Sequence, residues 1–408
     1  MKLFLMCMNY APERTGIALF TTDLAEYLAQ RGHRVTVATT FPHYPEWETQ
    51  EAYRGKWTMR ETRNGVTVLR RRIYLPKRAS ALRRILYDTS LAVTAFWSGL
   101  RTRDVDLILA VEPPIQAGAV ARVLARWKRV PYVLWIQDLA LEAAMSVGMM
   151  HASPALRFGQ QLENWSHARA RKLILISDGF RKNLSDKGHA AEKFVVLPNW
   201  ADVDALRPAE HGGDFRKRYG IADDALLVLH SGNMGVKQAL ENVLRAASVL
   251  RAPPRVVFAL VGDGSQKNVL MQMAQRENLE NVFFIPLQAR ADLPYMLAAA
   301  DVLLLNQHAD LVEAVIPSKL LTYMAAARPI VIAAHAASEA AHQVQAAGCG
   351  VLVAPDDPAA LANAILELGA APDVRARLGA RGREYVETHF ARAILLREFE
   401  TVLTECVH

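Results

Sequence analysis

With 408 residues, 51% of them hydrophobic and 22% charged, the chain is too long for one ordinary core and, at roughly 150 residues per domain, suits two domains of comparable size. That composition excludes intrinsic disorder. The net charge of +7 is modest for the length and no nucleic-acid-binding module accompanies it, so nucleic acid is excluded as a partner.

From the N-terminus, Met1 leads directly into the β-rich run 3–8, without the long apolar region and small-residue cleavage site of a signal peptide. Cys7, Cys349 and Cys406 form neither a zinc-ligand spacing nor a disulfide framework. A cytoplasmic chain in a reducing compartment is expected. Further β-rich runs at 35–39, 66–70, 107–111 and 132–136 alternate with helical patterns such as 21–31 and 116–128. Gly32 follows the helix that carries Leu24 and Leu28 and reads as its C-terminal stop. This βαβ grammar predicts a doubly wound parallel sheet.

Segment 54–103 holds thirteen Lys or Arg against only Glu61 and Asp88. Within it, Arg70, Arg71, Arg72, Lys77, Arg78, Arg83 and Arg84 alternate with Ile73, Tyr74, Leu75, Leu82, Ile85, Leu86 and Tyr87. Such a strip suits an anionic membrane surface, each basic residue adding about 1 kcal/mol; a solvated face beside a buried helix is the alternative. The apolar stretch 85–100 contains Asp88, Thr89, Ser90 and Ser98 and falls short of the roughly 20 apolar residues of a spanning helix. Peripheral association with the inner face of the plasma membrane is therefore the expectation.

Strand-like runs restart at 226–230, 256–261, 282–284, 302–305 and 330–333, after the Pro- and Gly-containing segment 207–213. The expected domains are 1–205 and 206–385, followed by a C-terminal segment 386–408 whose helix can pack back on the N-terminal domain. Two such domains imply a cleft.

The candidate chemistry sits in loops at the carboxyl ends of strands, where doubly wound sheets bind ligands. The first loop, Tyr10 through Glu13, Arg14 and Gly16, joins the first strand to a helix, and its glycine admits close backbone approach. Ser231, Gly232, Asn233, Gly235 and Lys237 follow the first strand of the second half; backbone N–H groups there can hold a diphosphate and Lys237 can neutralise it. Gly262 and Gly264 end the next strand. Glu313, Pro317, Ser318 and Lys319 precede a helix, so Ser318 and Lys319 can meet phosphates or sugar hydroxyls, although Pro317 and Ser318 are also plain helix-start signals. His43, Tyr44 and Trp47 are further candidates for ligand contact, with packing as their other reading.

These motifs together resemble the GT-B glycosyltransferases of family 4, particularly bacterial sugar transferases of colanic-acid, O-antigen and capsule synthesis. The likeness spans nearly the whole chain, through Tyr10 to Gly16, Gly32-His33, Leu197 to Asp202, Ser231 to Gly235, Val261 to Gly264, Ala300-Asp301-Val302 and Pro317 to Leu320. Within the family it is nearest to fucose or N-acetylfucosamine transferases. The resemblance implies two Rossmann-like domains facing a cleft and a retaining, metal-independent transfer with no cofactor. The donor implied is a UDP- or GDP-sugar held mainly by the second domain; the acceptor implied is a polyprenyl-diphosphate-linked saccharide held by the first domain, with Tyr10, Glu13, Arg14, His43, Tyr44 and Trp47 as its candidate contacts.

The chain also departs from the family pattern. Gln137-Asp138 stands where many relatives carry His-Asp, leaving Asp138 as catalytic-site carboxylate or as a cap on the next helix. Ala314 and Thr322 occupy the two positions of a common glutamate pair, with Glu313 one residue off. Asn233 and either Lys237 or Gln238 replace a basic pair, so Lys237 and Lys319 are the candidates for diphosphate charge. A nucleotide-sugar epimerase on the same fold and a non-catalytic nucleotide-sugar sensor remain alternatives.

Overall fold

The computed structural model describes residues 1–13, 16–44, 47–76, 80–139, 141, 154–208, 213–252, 255–310 and 316–407. Two compact units divide the chain: Met1–Asn199 with Leu395–His408, and Trp200–Ile394.

Unit 1 runs β1 (Lys2–Met6), α1 (Ile17–Gln30), β2 (Arg34–Thr40), β3 (Thr58–Arg63), β4 (Val66–Arg71), α2 (Ala81–Arg101), β5 (Leu107–Glu112), α3 (Ile115–Lys128), β6 (Tyr132–Ile136), α4 (Pro154–His167), β7 (Lys172–Leu175), α5 (Asp178–Asp186) and β8 (Phe194–Val196). The sheet order is β3-β4-β2-β1-β5-β6-β7-β8. All pairs are parallel except β3 with β4. Helices cover both faces of such a sheet, so its central strands are apolar throughout rather than alternating; every residue of β5 and of β6 is buried. The five β-rich runs read from this half all correspond to strands. Gly32, at φ +86°, ends α1 as expected, with its N–H donating to the Ala29 carbonyl.

The polar strand β3 was not anticipated, and it changes the meaning of the basic strip. Arg70 is only 1% exposed. Its guanidinium donates to Glu61 on β3 at 2.7 Å, to the Thr40 carbonyl at 3.0 Å and to the Ala11 carbonyl. Arg70 is thus a buried tie between β3, β2 and the loop after β1, and it leaves the membrane-facing set. Arg71 is partly withdrawn as well, donating to Ser98 at 2.9 Å. Lys77 and Arg78 lie outside the described residues. Arg70→Met should destabilise unit 1 by about 3–5 kcal/mol, because it strands buried acceptors and a carboxylate; urea denaturation followed by circular dichroism measures this.

Unit 2 runs α6 (Gly213–Arg218), β9 (Leu226–Asn233), α7 (Glu241–Val249), β10 (Val256–Asp263), α8 (Lys267–Arg276), β11 (Val282–Ile285), α9 (Leu293–Ala299), β12 (Val302–Asn306), α10 (Ser318–Ala325), β13 (Ile330–Ala333), α11 (Glu339–Ala347), β14 (Gly350–Val353), α12 (Pro358–Gly369) and α13 (Pro372–His389). Its parallel order, β11-β10-β9-β12-β13-β14, is the 3-2-1-4-5-6 arrangement of dinucleotide-binding sheets. Successive strand residues feed opposite faces: Leu227, Leu229, Val257 and Leu303 enter one core, and Val228, Phe258, Val302 and Leu304 the other. Asp301, part of the Ala-Asp-Val motif, is structural. It accepts from Arg216 at 2.7 Å and from the Leu227 N–H at 2.8 Å, fixing the entry to β9.

The last helix, α14 (Arg392–Glu405), carries residues from Leu395 onward into unit 1. Phe399 stacks edge-on against Trp135 of β6 at 4.8 Å, and Glu400 bonds His33, Tyr27 and Arg31. Among the described residues, no helix is long and apolar enough to cross a membrane.

Candidate functional site

In unit 2 the order in which strands are added reverses between the parallel neighbours β9 and β12, which pair through Val302 with Val228 and Leu303 with Leu229. The carboxyl edge at such a switch point is where sheets of this order bind ligands. Strand β9 continues along β10 as far as Asn233 opposite Asp263. Ser231, Gly232 and Asn233 therefore extend past the pairing with β12 on a strand that β10 supports.

The glycines there are demanded by geometry. A Cβ on Gly262 would stand 2.0 Å from the Gly232 carbonyl oxygen, and one on Gly264 2.5 Å from Met234 backbone atoms. Their φ angles of +143° and +158° are also ones that L side chains rarely adopt. Gly235 faces Asn233 and Gln238, whose amide oxygen accepts the Gly235 N–H at 3.1 Å. The two glycine loops thus pack backbone on backbone at Gly262 and Gly264, forming a thin rim flanked by Asn233, Gln238 and Lys319.

Lys319, in the first turn of α10, reaches this rim. Its Nζ lies 3.4 Å from where a Gly232 Cβ would be. Four residues further along the same helix, the buried Tyr323 hydroxyl accepts the Ser231 N–H at 2.7 Å. The helix therefore delivers a cation and pins the strand end together. Lys237 is exposed in the 3-10 turn Val236–Gln238. Ser318 is exposed behind Pro317, whereas the Thr322 hydroxyl donates back to the Ser318 carbonyl. Glu313 lies outside the described residues. Tyr323 and His230 were missed in the sequence; Tyr323's signal is its i+4 spacing from Lys319.

His230 is fully buried under the rim, and burial first, then the Lys319 charge, pushes its pKa down from 6.5 to about 3. The unfolded chain therefore holds the extra proton between those values. The stability this neutral imidazole secures is complete above pH 6.5 and is lost as pH falls toward 3, by about 1.4 kcal/mol per unit. In His230→Gln, urea unfolding between pH 7 and 5 should show a shallower decline.

Unit 1 presents its own carboxyl-edge loops. Gly16, at φ +57°, starts α1 with open space around it. Glu13 is buried, accepting from the backbone N–H groups of His43 and Tyr44 at 2.8 Å each and from Asn9 at 2.9 Å. His43 is buried against Tyr87, its Nε2 2.8 Å from the hydroxyl, and Tyr10 is wholly buried. Tyr10, Glu13 and His43 were expected to touch an acceptor. The Glu13 and His43 side chains instead brace the loops through these bonds, and Tyr10 is withdrawn into the core. Tyr44 and Trp47, at 40% and 37% exposure, remain at the surface. Arg14 lies outside the described residues. After β6, Gln137 forms a reciprocal amide pair with Asn199, both bonds 2.9 Å, and Asp138 is exposed beside it. Residues 140 and 142–153, which follow Asp138 along the chain, lie outside the described set.

Comparisons with known proteins agree with this arrangement. Residues 15–200 match the Glycosyl transferase 4-like domain, and residues 213–385 match Glycosyl transferases group 1. The chain is 33% identical over 416 residues, 98% of each protein, to the colanic acid biosynthesis glycosyl transferase WcaI of Escherichia coli K12. Among solved structures it resembles sucrose-phosphate synthase from Thermosynechococcus elongatus, with a TM-score of 0.76, 18% identity and coverage of 99% and 98%. It also resembles Anabaena HepE in complex with UDP, with a TM-score of 0.73, 19% identity and coverage of 99% and 100%. The chain belongs to the GT-B-fold glycosyltransferases, with a 4-like domain followed by a group 1 domain, and is an enzyme of that class.

Proposed function

We propose that this enzyme moves a fucose- or N-acetylfucosamine-like sugar from a nucleoside diphosphate, UDP or GDP, to a polyprenyl-diphosphate-linked saccharide in cell-surface polysaccharide synthesis. The transfer retains configuration and needs neither metal nor cofactor. The observation that carries this reading is Lys319 held over the bare Gly232 backbone at the strand switch point. A diphosphate on that rim receives backbone N–H groups from the glycine loops and positive charge from Lys319 and Lys237. The bond from the anomeric carbon to the diphosphate oxygen breaks and the acceptor oxygen takes its place, while the acceptor proton leaves with the diphosphate. Charge stabilisation of that leaving group is the main lever. Asp138 steadies the positive character of the sugar. The name of the Escherichia coli relative supports the polysaccharide context.

Acceptor delivery from a membrane is supported by α2, where Leu82, Ile85, Leu86, Val93 and Trp97 are exposed by 46% or more, beside Arg72 and Arg83. A helix of this kind lies on anionic lipid with its apolar face inserted. The test of the donor reading is a thermal-shift screen of UDP, GDP, dTDP and ADP and their sugars, with and without EDTA. One base should raise Tm equally in both conditions. The absence of a shift with any nucleotide would sink the reading.

A further inference from the structure

Away from the loops described above, unit 1 contains a buried polar cluster that glycosyl transfer does not use. Glu163 and His167 sit one helical turn apart on α4, 4% and 2% exposed, and His189 follows α5. One ligand-capable atom from each lies within 4.8 Å of the other two. The rings of His167 and His189 are 4.9 Å apart. His167 turns Nε2 toward the buried Glu112 carboxylate at 3.1 Å, while its Nδ1 and the Nε2 of His189 are buried with no hydrogen-bond partner.

Two imidazole nitrogens left unpaired in the interior are costly unless something binds them. A carboxylate behind the far nitrogen of a histidine is the arrangement that fixes a metal-ligating tautomer and raises its basicity. Space for that carboxylate is built in: a Cβ on Gly118 of α3 would stand 2.2 Å from Glu112 Oε1. A cation is already drawn to the cluster, since the Lys187 ammonium sits 2.7 Å from Glu163 Oε1. His189 and Lys187 are partly exposed, which provides an entry path.

We propose that Glu163, His167 and His189 form a structural site for one divalent ion of the zinc class, backed by Glu112 and in competition with Lys187. Two nitrogens and one carboxylate oxygen suit zinc, with water completing a tetrahedron at bonds of about 2.0–2.2 Å. The ion would join α4 to the segment after α5 and stiffen that flank of unit 1, apart from the reaction. This proposal stands independently of the donor and acceptor reading.

The experiment uses the full chain without a polyhistidine tag, stripped with chelator and titrated with Co(II) and then Zn(II). One equivalent of Co(II) should produce tetrahedral d–d absorption bands that Zn(II) abolishes, and saturating Zn(II) should raise Tm by roughly 5–10 °C. His189→Asn and Glu163→Gln should each weaken binding by about 100-fold or more, and Glu112→Gln by roughly 10–100-fold. Lys187→Gln should tighten it, because the competing ammonium is gone; a merely hydrogen-bonded cluster gives no such gain. Circular dichroism of the metal-free variants separates lost binding from lost folding, and two independent ligand variants guard against one that does not fold. Absence of saturable one-equivalent binding in the parent protein, or binding unchanged in both ligand variants, overturns the proposal.

Discussion

Replacing Lys319 with alanine is expected to lower the rate of sugar transfer by about 100- to 1,000-fold, comparable to removing one preorganised charge-stabilising donor at a reaction centre. The fold should persist, because Lys319 is only partly buried at the start of α10 while Tyr323 of that helix still holds the Ser231 N–H. The ammonium stands over Gly232, a residue whose missing side chain leaves the backbone open to a diphosphate. If Lys319 stabilises charge that grows as the leaving group departs, kcat falls more than KM rises. Lys319→Arg should restore part of the rate, since the charge returns but not its point-like geometry. Lys237→Ala should cost less, because Lys237 is exposed on its turn and solvent screens it. Initial-rate kinetics on the three variants check the ordering, and unchanged transfer in Lys319→Ala removes the lysine from the mechanism.

The second large effect is on stability. Gly262→Ala places a methyl 2.0 Å from the Gly232 carbonyl oxygen at a φ of +143°. The obstacle is backbone in an adjoining strand, so β9 and β10 must separate where Gly262 faces Gly232. We expect a loss of about 2–4 kcal/mol, combining overpacking with an unfavourable backbone conformation. The nucleotide-induced Tm shift should fall as well. Gly32→Ala provides the control. Gly32 also has positive φ, at +86°, but nothing lies within 4 Å of its Cβ position, so its cost should be about 1 kcal/mol. Urea denaturation of both variants measures the difference.

The contrast between what could and could not be read from the sequence is physical. Strands β5, β6, β12 and β13 are buried on both faces, so each appears as an unbroken apolar run that needs no partner to be recognised. Strand β3, Thr-Met-Arg-Glu-Thr-Arg, is half exposed and polar on an antiparallel edge; only its pairing with β4 makes it a strand. Arg70 looked like part of a charged surface because its partners, Thr40 and Ala11, lie 30 and 59 residues away. At the candidate site the glycines were legible as close-approach positions. The bond that joins α10 to β9, between Tyr323 and Ser231, spans 92 residues and carries no local pattern. Tyr10, Glu13 and His43 were read as ligand contacts because polar loop residues usually face solvent. Here Glu13 and His43 are spent on holding the loops to one another, and Tyr10 is buried in the core.

The most direct test of the account is acceptor-dependent release of nucleoside diphosphate, measured in EDTA with the nucleotide sugar selected by the thermal-shift screen and a polyprenyl-diphosphate saccharide as acceptor. One diphosphate released per sugar transferred, dependent on acceptor and lost in Lys319→Ala, is the predicted result. Tight donor binding with no release, or conversion of the donor sugar to its epimer without acceptor, would contradict it.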